Sequence, residues 1–308
     1  MSLTASSPVA VADEVRDALA AGRPVVALES TIFTHGLPRP RNLDVALEAE
    51  RRLRDMGVVP ATIGLLDGRA VVGLTAEQIE RLSTTDGVTK VSRRDLPVAA
   101  ARGLSGGTTV AGTAFLAHEA GVRVFATGGL GGVHAGASAT FDESADLPVL
   151  AHTPILVVSA GVKSILDIGA SLERMETLSI TVVGYKTAAY PGFYVADSGF
   201  ELEYSVDGPS EAADLVRARD AFGIEAAVVI ANPVPAADEL SDEEHRVVLA
   251  AAWTAADETG IAGKDTTPFL LDYIQKATDG RSLDVNVAVY RNNVGLGGEI
   301  ARCLSDVS

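Results

Sequence analysis

Residues 155–169 read ILVVSAGVKSILDIG. The stretch opens on consecutive apolar residues rather than an alternation, the pattern of a strand covered on both faces. Small residues at 159–161 mark a turn, and a second apolar pattern over 163–169 predicts a helix. The same grammar recurs on either side, in PVVALES (24–30), ATIGLL (61–66), RAVVGL (69–74), VTKVS (88–92), VRVFATG (122–128), ITVVGY (180–185) and AAVVIANP (226–233). Helical patterns lie between these strands at 108–120, 171–178 and 210–222. Strands and helices in alternation predict an α/β fold, a three-layer αβα sandwich with a mainly parallel central sheet.

The remaining elements follow from their punctuation. The opening predicts a helix capped by Ser7, with Pro8 at its first position, and closed by Gly22. In TIFTHGLPRPR (31–41) two prolines forbid regular structure, after which Asn42 is positioned to cap a helix that Gly57 ends. Asp67-Gly68 predicts a tight turn, and Thr75 with Gln78 forms a capping-box signature. Residues 193–208 look like a hairpin excursion. From Ser241 onward three helical patterns, at 241–260, 267–278 and 282–304, predict a C-terminal helical layer. No Pro-, Gly- or Ser-rich linker interrupts the chain, so a single domain over 1–308 is expected.

The 308 residues carry 41 Asp plus Glu against 25 Lys plus Arg, for a net charge of −16. That balance excludes bulk nucleic-acid binding and disfavours an anionic membrane surface, leaving a small-molecule ligand as the expected partner. One cysteine, Cys303, excludes an intrachain disulfide and a Cys-based zinc cluster. The N-terminus has no basic start before its apolar residues, unlike a signal peptide, so a cytoplasmic protein is expected.

Glycine spacing argues against a dinucleotide or ATP site. In TGGLGGVHAG the spacing that begins at Gly129 and Gly131 meets His134 where glycine is needed, and Gly263-Lys264 lacks the earlier glycine of a phosphate loop. GGLGGVHAG nevertheless follows a strand directly, where the loops of an α/β sheet form a ligand crevice. FDESADL (141–147) puts Asp142, Glu143 and Asp146 within five residues, a set suited to Mg²⁺ or Mn²⁺ or to a solvated acidic loop. Lys163 is a lone charge at a strand–helix junction. Apolar surroundings and a helix N-terminus there would favour the uncharged amine, a nucleophile able to form an imine. Lys90, at another strand end, would add a neighbouring cation. Ser92, Arg93 and Arg94 suit a phosphate monoester as well as a capped helix start. Glu29 ends an apolar strand beside Ser30 and Thr31, placed either for proton transfer or as a lysine's ion-pair partner. Asn286 and Asn293, seven apart, share one helix face.

Taken together, ALESTIFTHGLPRPRN, VTKVSRRDLP, TTVAGT, FATGGLGGVHAGA, FDESADL, SAGVKSILDIG, VVGYKT, VVIANPVP and GKDTTPFLL resemble the pseudouridine-5′-phosphate glycosidases, also called the indigoidine synthase A-like family. The resemblance runs from about Val25 to the last helix, in order. It implies reversible cleavage of the C–C glycosidic bond of pseudouridine 5′-phosphate to uracil and ribose 5-phosphate, with a divalent ion, usually manganese. It further implies Lys163 as covalent nucleophile, Glu29 as proton donor and Asp142 as the metal-site carboxylate. Lys90, Val110, Ser144, Ala145 and Asp146 are the implied substrate contacts, His134 and Asn286 further pocket residues, and a homotrimer the assembly. Two rivals share some of these residues: an aldolase-like imine enzyme on another sugar phosphate, and a non-catalytic sugar-phosphate binder.

Overall fold

Pleating resolves the continuous apolar strands into two faces, because successive side chains of a strand point to opposite sides. On β2 (Val25–Leu28) Val26 and Leu28 join one hydrophobic cluster while Val25 and Ala27 join the other, and each strand at the centre of the sheet divides in the same way. In the computed structural model, which describes residues 9–261 and 266–305, the strands in chain order are β1 (Val9–Val11), β2, β3 (Val59–Leu66), β4 (Arg69–Val72), β5 (Thr89–Val91) and β6 (Gly106–Thr108). They continue with β7 (Val124–Ala126), β8 (Leu156–Ser159), β9 (Thr181–Tyr185), β10 (Ser205–Val206) and β11 (Val228–Ala231). The sheet runs β1-β4-β3-β2-β7-β8-β11-β9-β10, with β6 pairing β3 and β5. Only β3–β4 and β3–β6 are antiparallel, so the sheet is mainly parallel as expected.

Helices cover both faces. They are α1 (Asp13–Ala20), α2 (Arg41–Asp55), α3 (Ala76–Thr84), α4 (Leu96–Arg102), α5 (Val110–Glu119) and α6 (Ala137–Thr140). Then come α7 (Asp146–Leu150), α8 (Ile168–Thr177), α9 (Pro209–Phe222), α10 (Asp242–Thr259), α11 (Thr266–Ala277) and α12 (Arg281–Ser305). Val45 of α2, Val216 of α9 and Val287 of α12 meet Val26, Leu156 and Ile230 on one face. On the other face Val15 of α1, Ala114 of α5, Ala252 of α10 and Ile274 of α11 meet Ala27, Val157 and Val229. The three C-terminal helices thus close the sandwich from both sides. Burying each of these valines or leucines contributes roughly 1.5–3 kcal/mol, which is what fixes the strand ends in place.

Several local expectations change. Ser7 and Pro8 lie outside the described residues, but Val9–Val11 pairs in parallel with β4, so the helix begins only at Asp13. Two β-branched valines completing the sheet edge outweigh the weak helix signal of that segment. Residues 163–167 form a turn instead of a helix, because Asp167 caps α8 by accepting from the Ala170 N–H at 2.9 Å. The helix-end contribution expected at Lys163 is therefore absent. The stretch 193–208 is no hairpin: β10 joins β9 in parallel, and a single bridge links Ala189 to Glu201. Ile32–Gly36 winds into one π-helical turn ahead of the prolines. Asn42 lies within α2, donating to Phe33 O at 2.7 Å and Ser83 O at 3.0 Å rather than capping. The Asp67-Gly68 turn and the Thr75–Gln78 capping box form as expected.

Candidate active site

Three neighbouring parallel strands, β2, β7 and β8, end together, and each delivers a polar residue just beyond its carboxyl end. Glu29 follows β2, Thr127 follows β7, and Lys163 comes four residues after β8. Two adjoining cavities open over these ends, of about 570 and 480 Å³, and both are lined by Glu29, Lys90 and Lys163. The larger also takes in Val110, His134, Asp142, Ser144, Ala145 and Asp146. Asn286 lines the smaller. The ten residues for which the resemblance implies a role thus line one joined space.

Glu29 is 7% exposed, and its two carboxylate oxygens accept from the hydroxyls of Thr31 and Thr127. The backbone behind Thr127 is anchored in turn. Asn293, 1% exposed, donates from Nδ2 to Thr127 O at 2.7 Å and to Gly128 O at 3.2 Å, and accepts from Asn232 Nδ2 at 2.9 Å. A buried amide on α12 therefore holds the end of β7, whose threonine orients Glu29. The two asparagines sharing a face divide the work, Asn293 bracing the strand end and Asn286 facing the cavity.

Lys163 is half-buried, its N–H donating to Leu130 O at 3.0 Å, so the lysine loop is tied to the glycine loop after β7. Lys90 lies on the cavity wall. Loss of water there, and then the charge of Lys163, hold its ammonium below the ordinary lysine range, opposed by Glu29 and Asp146. At the edge of the smaller cavity His35 is likewise lowered, by burial first and then by the charge of Lys90, against a backbone hydrogen bond at Val88. The larger cavity thus sets Lys90, Arg94 and Lys163 among five carboxylates, Glu29, Asp95, Asp142, Glu143 and Asp146.

The acidic loop does not act as one cluster. Asp146 is buried and accepts from the Gly131 N–H at 2.8 Å and the Ala111 N–H at 2.9 Å, clamping the glycine loop to the N-terminal turn of α5. A Cβ at Gly131 would stand 2.1 Å from Ser144 Oγ, so only glycine allows this approach. Glu143 pairs with Arg174 at 2.9 Å. Asp142 pairs with no lysine or arginine among the described residues; its carboxylate lies 4.0 Å from His134 Nδ1. No group of three His, Cys, Asp or Glu side chains among the described residues converges to hold a metal. What the residues do fit is a hard divalent ion that keeps most of its water and takes one carboxylate, Asp142.

In the VSRRDLP segment Arg93 stacks over the Phe115 ring at 4.6 Å, whereas Ser92 and Arg94 line the larger cavity. Residues that the sequence did not single out are Thr127, Thr109 and Phe193. Thr127 had a usable signal, a hydroxyl one position past an apolar strand; Phe193 had none, because its place depends on a distant loop.

An open α/β sheet whose strand ends gather a lysine, a carboxylate and glycine-rich loops defines a protein of the crevice-binding α/β class. The chain belongs to the family described as indigoidine synthase A-like protein, whose model matches residues 14–303. It is 65% identical over 300 residues to a pseudouridine-5′-phosphate glycosidase of Saccharopolyspora erythraea, covering 97% of this chain and 99% of that one. A protein of the same name from Frankia alni is 55% identical, covering 96% of this chain and 82% of its own. Among solved structures, the prealnumycin C-glycosynthase AlnA in complex with ribulose 5-phosphate superposes with a TM-score of 0.91 at 35% identity, over 98% of both chains. An indigoidine synthase A-like protein of Thermotoga maritima gives 0.87 at 35% identity, over 96% of both.

Proposed function

We propose that the chain cleaves, reversibly, the C–C glycosidic bond of pseudouridine 5′-phosphate, giving uracil and ribose 5-phosphate through a lysine imine. The observation that carries this reading is the meeting of Lys163, Glu29 and Lys90 where the two cavities join. The names of the relatives support it, as does AlnA, a C-glycosynthase seen with a pentulose phosphate.

A C–C bond offers no bridging oxygen to protonate, so the electron sink must be built on the sugar. Lys163 Nζ attacks C1′ while the C1′–O4′ bond breaks, and Glu29 gives its proton to O4′. The nitrogen, an ammonium once bonded to C1′, loses a proton to water, and its lone pair then forms C1′=N as the C1′–C5 bond breaks, that bond's electron pair passing to the uracil ring, where C5 takes up a proton. Water hydrolyses the imine, releasing ribose 5-phosphate and the free amine. Thr31 and Thr127 orient the Glu29 carboxylate for the first proton transfer, Lys90 holds anionic parts of the substrate, and Val110, Ser144, Ala145 and Asp146 form the substrate-contacting wall around it. His134 and Asn286 line the two ends of the space. Asp142 would hold Mn²⁺, one ion per subunit, which when bound supplies positive charge beside the sugar phosphate. The protein acts as a cytoplasmic homotrimer in this reading.

The test is ultraviolet monitoring of uracil with ribose 5-phosphate, with and without Mn²⁺. Uracil-dependent product formation, lost on chelation and restored by Mn²⁺, is expected. Turnover of the sugar phosphate without uracil would favour an aldolase-like enzyme, and binding without turnover a binding protein.

A further inference from the structure

The smaller cavity has an aromatic wall. Phe193 sits there with φ +65°, a left-handed backbone that costs a bulky residue about 1–3 kcal/mol and persists only where its surroundings over-determine it. Its ring is 2% exposed and held edge-to-face by Tyr194, with centroids 4.8 Å apart. The glycines after β7 are cut to this ring: a Cβ on Gly129 would lie 2.6 Å from two of its carbons. A Cβ on Gly128 would be 3.8 Å from the same ring and 3.5 Å from Asn286 Oδ1. Ring and carboxamide therefore flank one stretch of bare backbone, in a cavity that also contains Lys163 and Glu29. An apolar ring next to an amide is the chemistry for a flat heterocycle with hydrogen-bonding edges.

We propose that Phe193 is the specificity-determining residue on the base side of the scissile bond, setting how large a planar base fits beside Asn286, an inference that rests on the function proposed above. The edge of Tyr194 and the bare backbone at Gly129 hold the ring against the cavity in spite of that strain. The sugar-phosphate side contains no part of this wall, so base and sugar affinities separate.

The experiment runs the reaction from uracil and ribose 5-phosphate and measures KM for each, then repeats it with 6-methyluracil, larger by one methyl. Phe193→Leu is expected to raise the KM of uracil about tenfold and to shift the kcat/KM ratio toward 6-methyluracil by a similar factor, the scale of one methyl in an apolar pocket. The KM of ribose 5-phosphate stays within about twofold, the sugar contacts being untouched. Gly129→Ala, whose Cβ would overlap the ring and force it to shift, is expected to move the ratio as well. Leu271→Ala, at a half-buried position on the same cavity, raises the uracil KM alone and keeps the test open if Phe193→Leu fails to fold. Equal rises in both KM values, or an unmoved base ratio in folded variants, would overturn the proposal. An inactive wild type would instead remove the proposed function itself.

Discussion

Glu29 shows how much of the site rests on single hydrogen bonds. Replacing it with Gln keeps the shape, with one threonine hydroxyl still donating and the other turned to accept from the amide, but removes the acidic proton, so kcat should fall about 10²–10⁴-fold. A folded variant of near wild-type rate would leave Glu29 a purely structural carboxylate. Thr127→Val deletes one charge-assisted donor, worth about 1.5–3 kcal/mol, and should lower kcat roughly ten- to hundredfold while KM holds. Lys90 gives a signed pH test. Its ammonium is held low by loss of water first and then by Lys163, and up by Glu29 and Asp146, so ribose 5-phosphate binding should weaken at a pH below the ordinary lysine value of about 10.4. Glu29→Gln should move that limb to lower pH and Lys163→Met to higher pH in binding calorimetry. Movement in the same direction would mean another group titrates. At this scale the sequence was informative: a lone charge or carboxylate at the end of an apolar strand is rare enough to stand out. It was blind to Phe193, whose neighbours come from three separate segments.

Among the elements, α12 carries a function beyond its apolar stripe, because Asn293 braces the end of β7. Asn293→Ala would strand the Thr127 carbonyl and the Asn232 amide, while the Gly128 carbonyl keeps the Ala160 N–H at 2.9 Å; it should cost about 1–3 kcal/mol in urea unfolding, lowering kcat as Thr127 loosens. Glu50 of α2 offers a separate check. Burial raises its carboxyl above the usual range, against the Thr62 hydroxyl at 2.6 Å and the charge of Arg54. The folded state then holds more protons than the unfolded one, so this group's contribution falls as pH rises from about 4.3 upward. Glu50→Gln should gain thermal stability relative to wild type near pH 7 and lose that advantage near pH 4; parallel melting curves would contradict this. The strands covered on both faces were legible from their apolar runs. The turn at 163–167 was not, because its apolar residues fit a helix equally well and only the Asp167 cap and the bond to Leu130 decide the matter. Nor was β6, whose two glycines offer no side chain to mark a strand.

For the whole molecule, the mainly parallel sheet follows from alternation, but the order of its strands does not, and β1 reaches β4 from the N-terminus through an apolar triplet too short to read. Three carboxylates close in sequence looked like one metal cluster, yet folding sends them to an arginine, to two backbone N–H groups and to open cavity. On the proposed reading Asp142→Ala should bind Mn²⁺ weakly by calorimetry and resist its rescue after chelation, while Glu143→Ala should not. A homotrimer of a 31.8 kDa chain should appear near 95 kDa in light scattering, three times the chain mass. A monomer of full activity would remove the assembly from the account.

At the centre of the proposed function is a covalent bond between one lysine and the anomeric carbon of ribose. The most direct measurement is borohydride reduction in the presence of ribose 5-phosphate, followed by intact mass and peptide mapping. A single adduct of the reduced sugar phosphate on Lys163, absent from Lys163→Ala, is the predicted result; an unmodified wild-type chain that still consumes substrate, or an adduct on Lys90 instead, would contradict it.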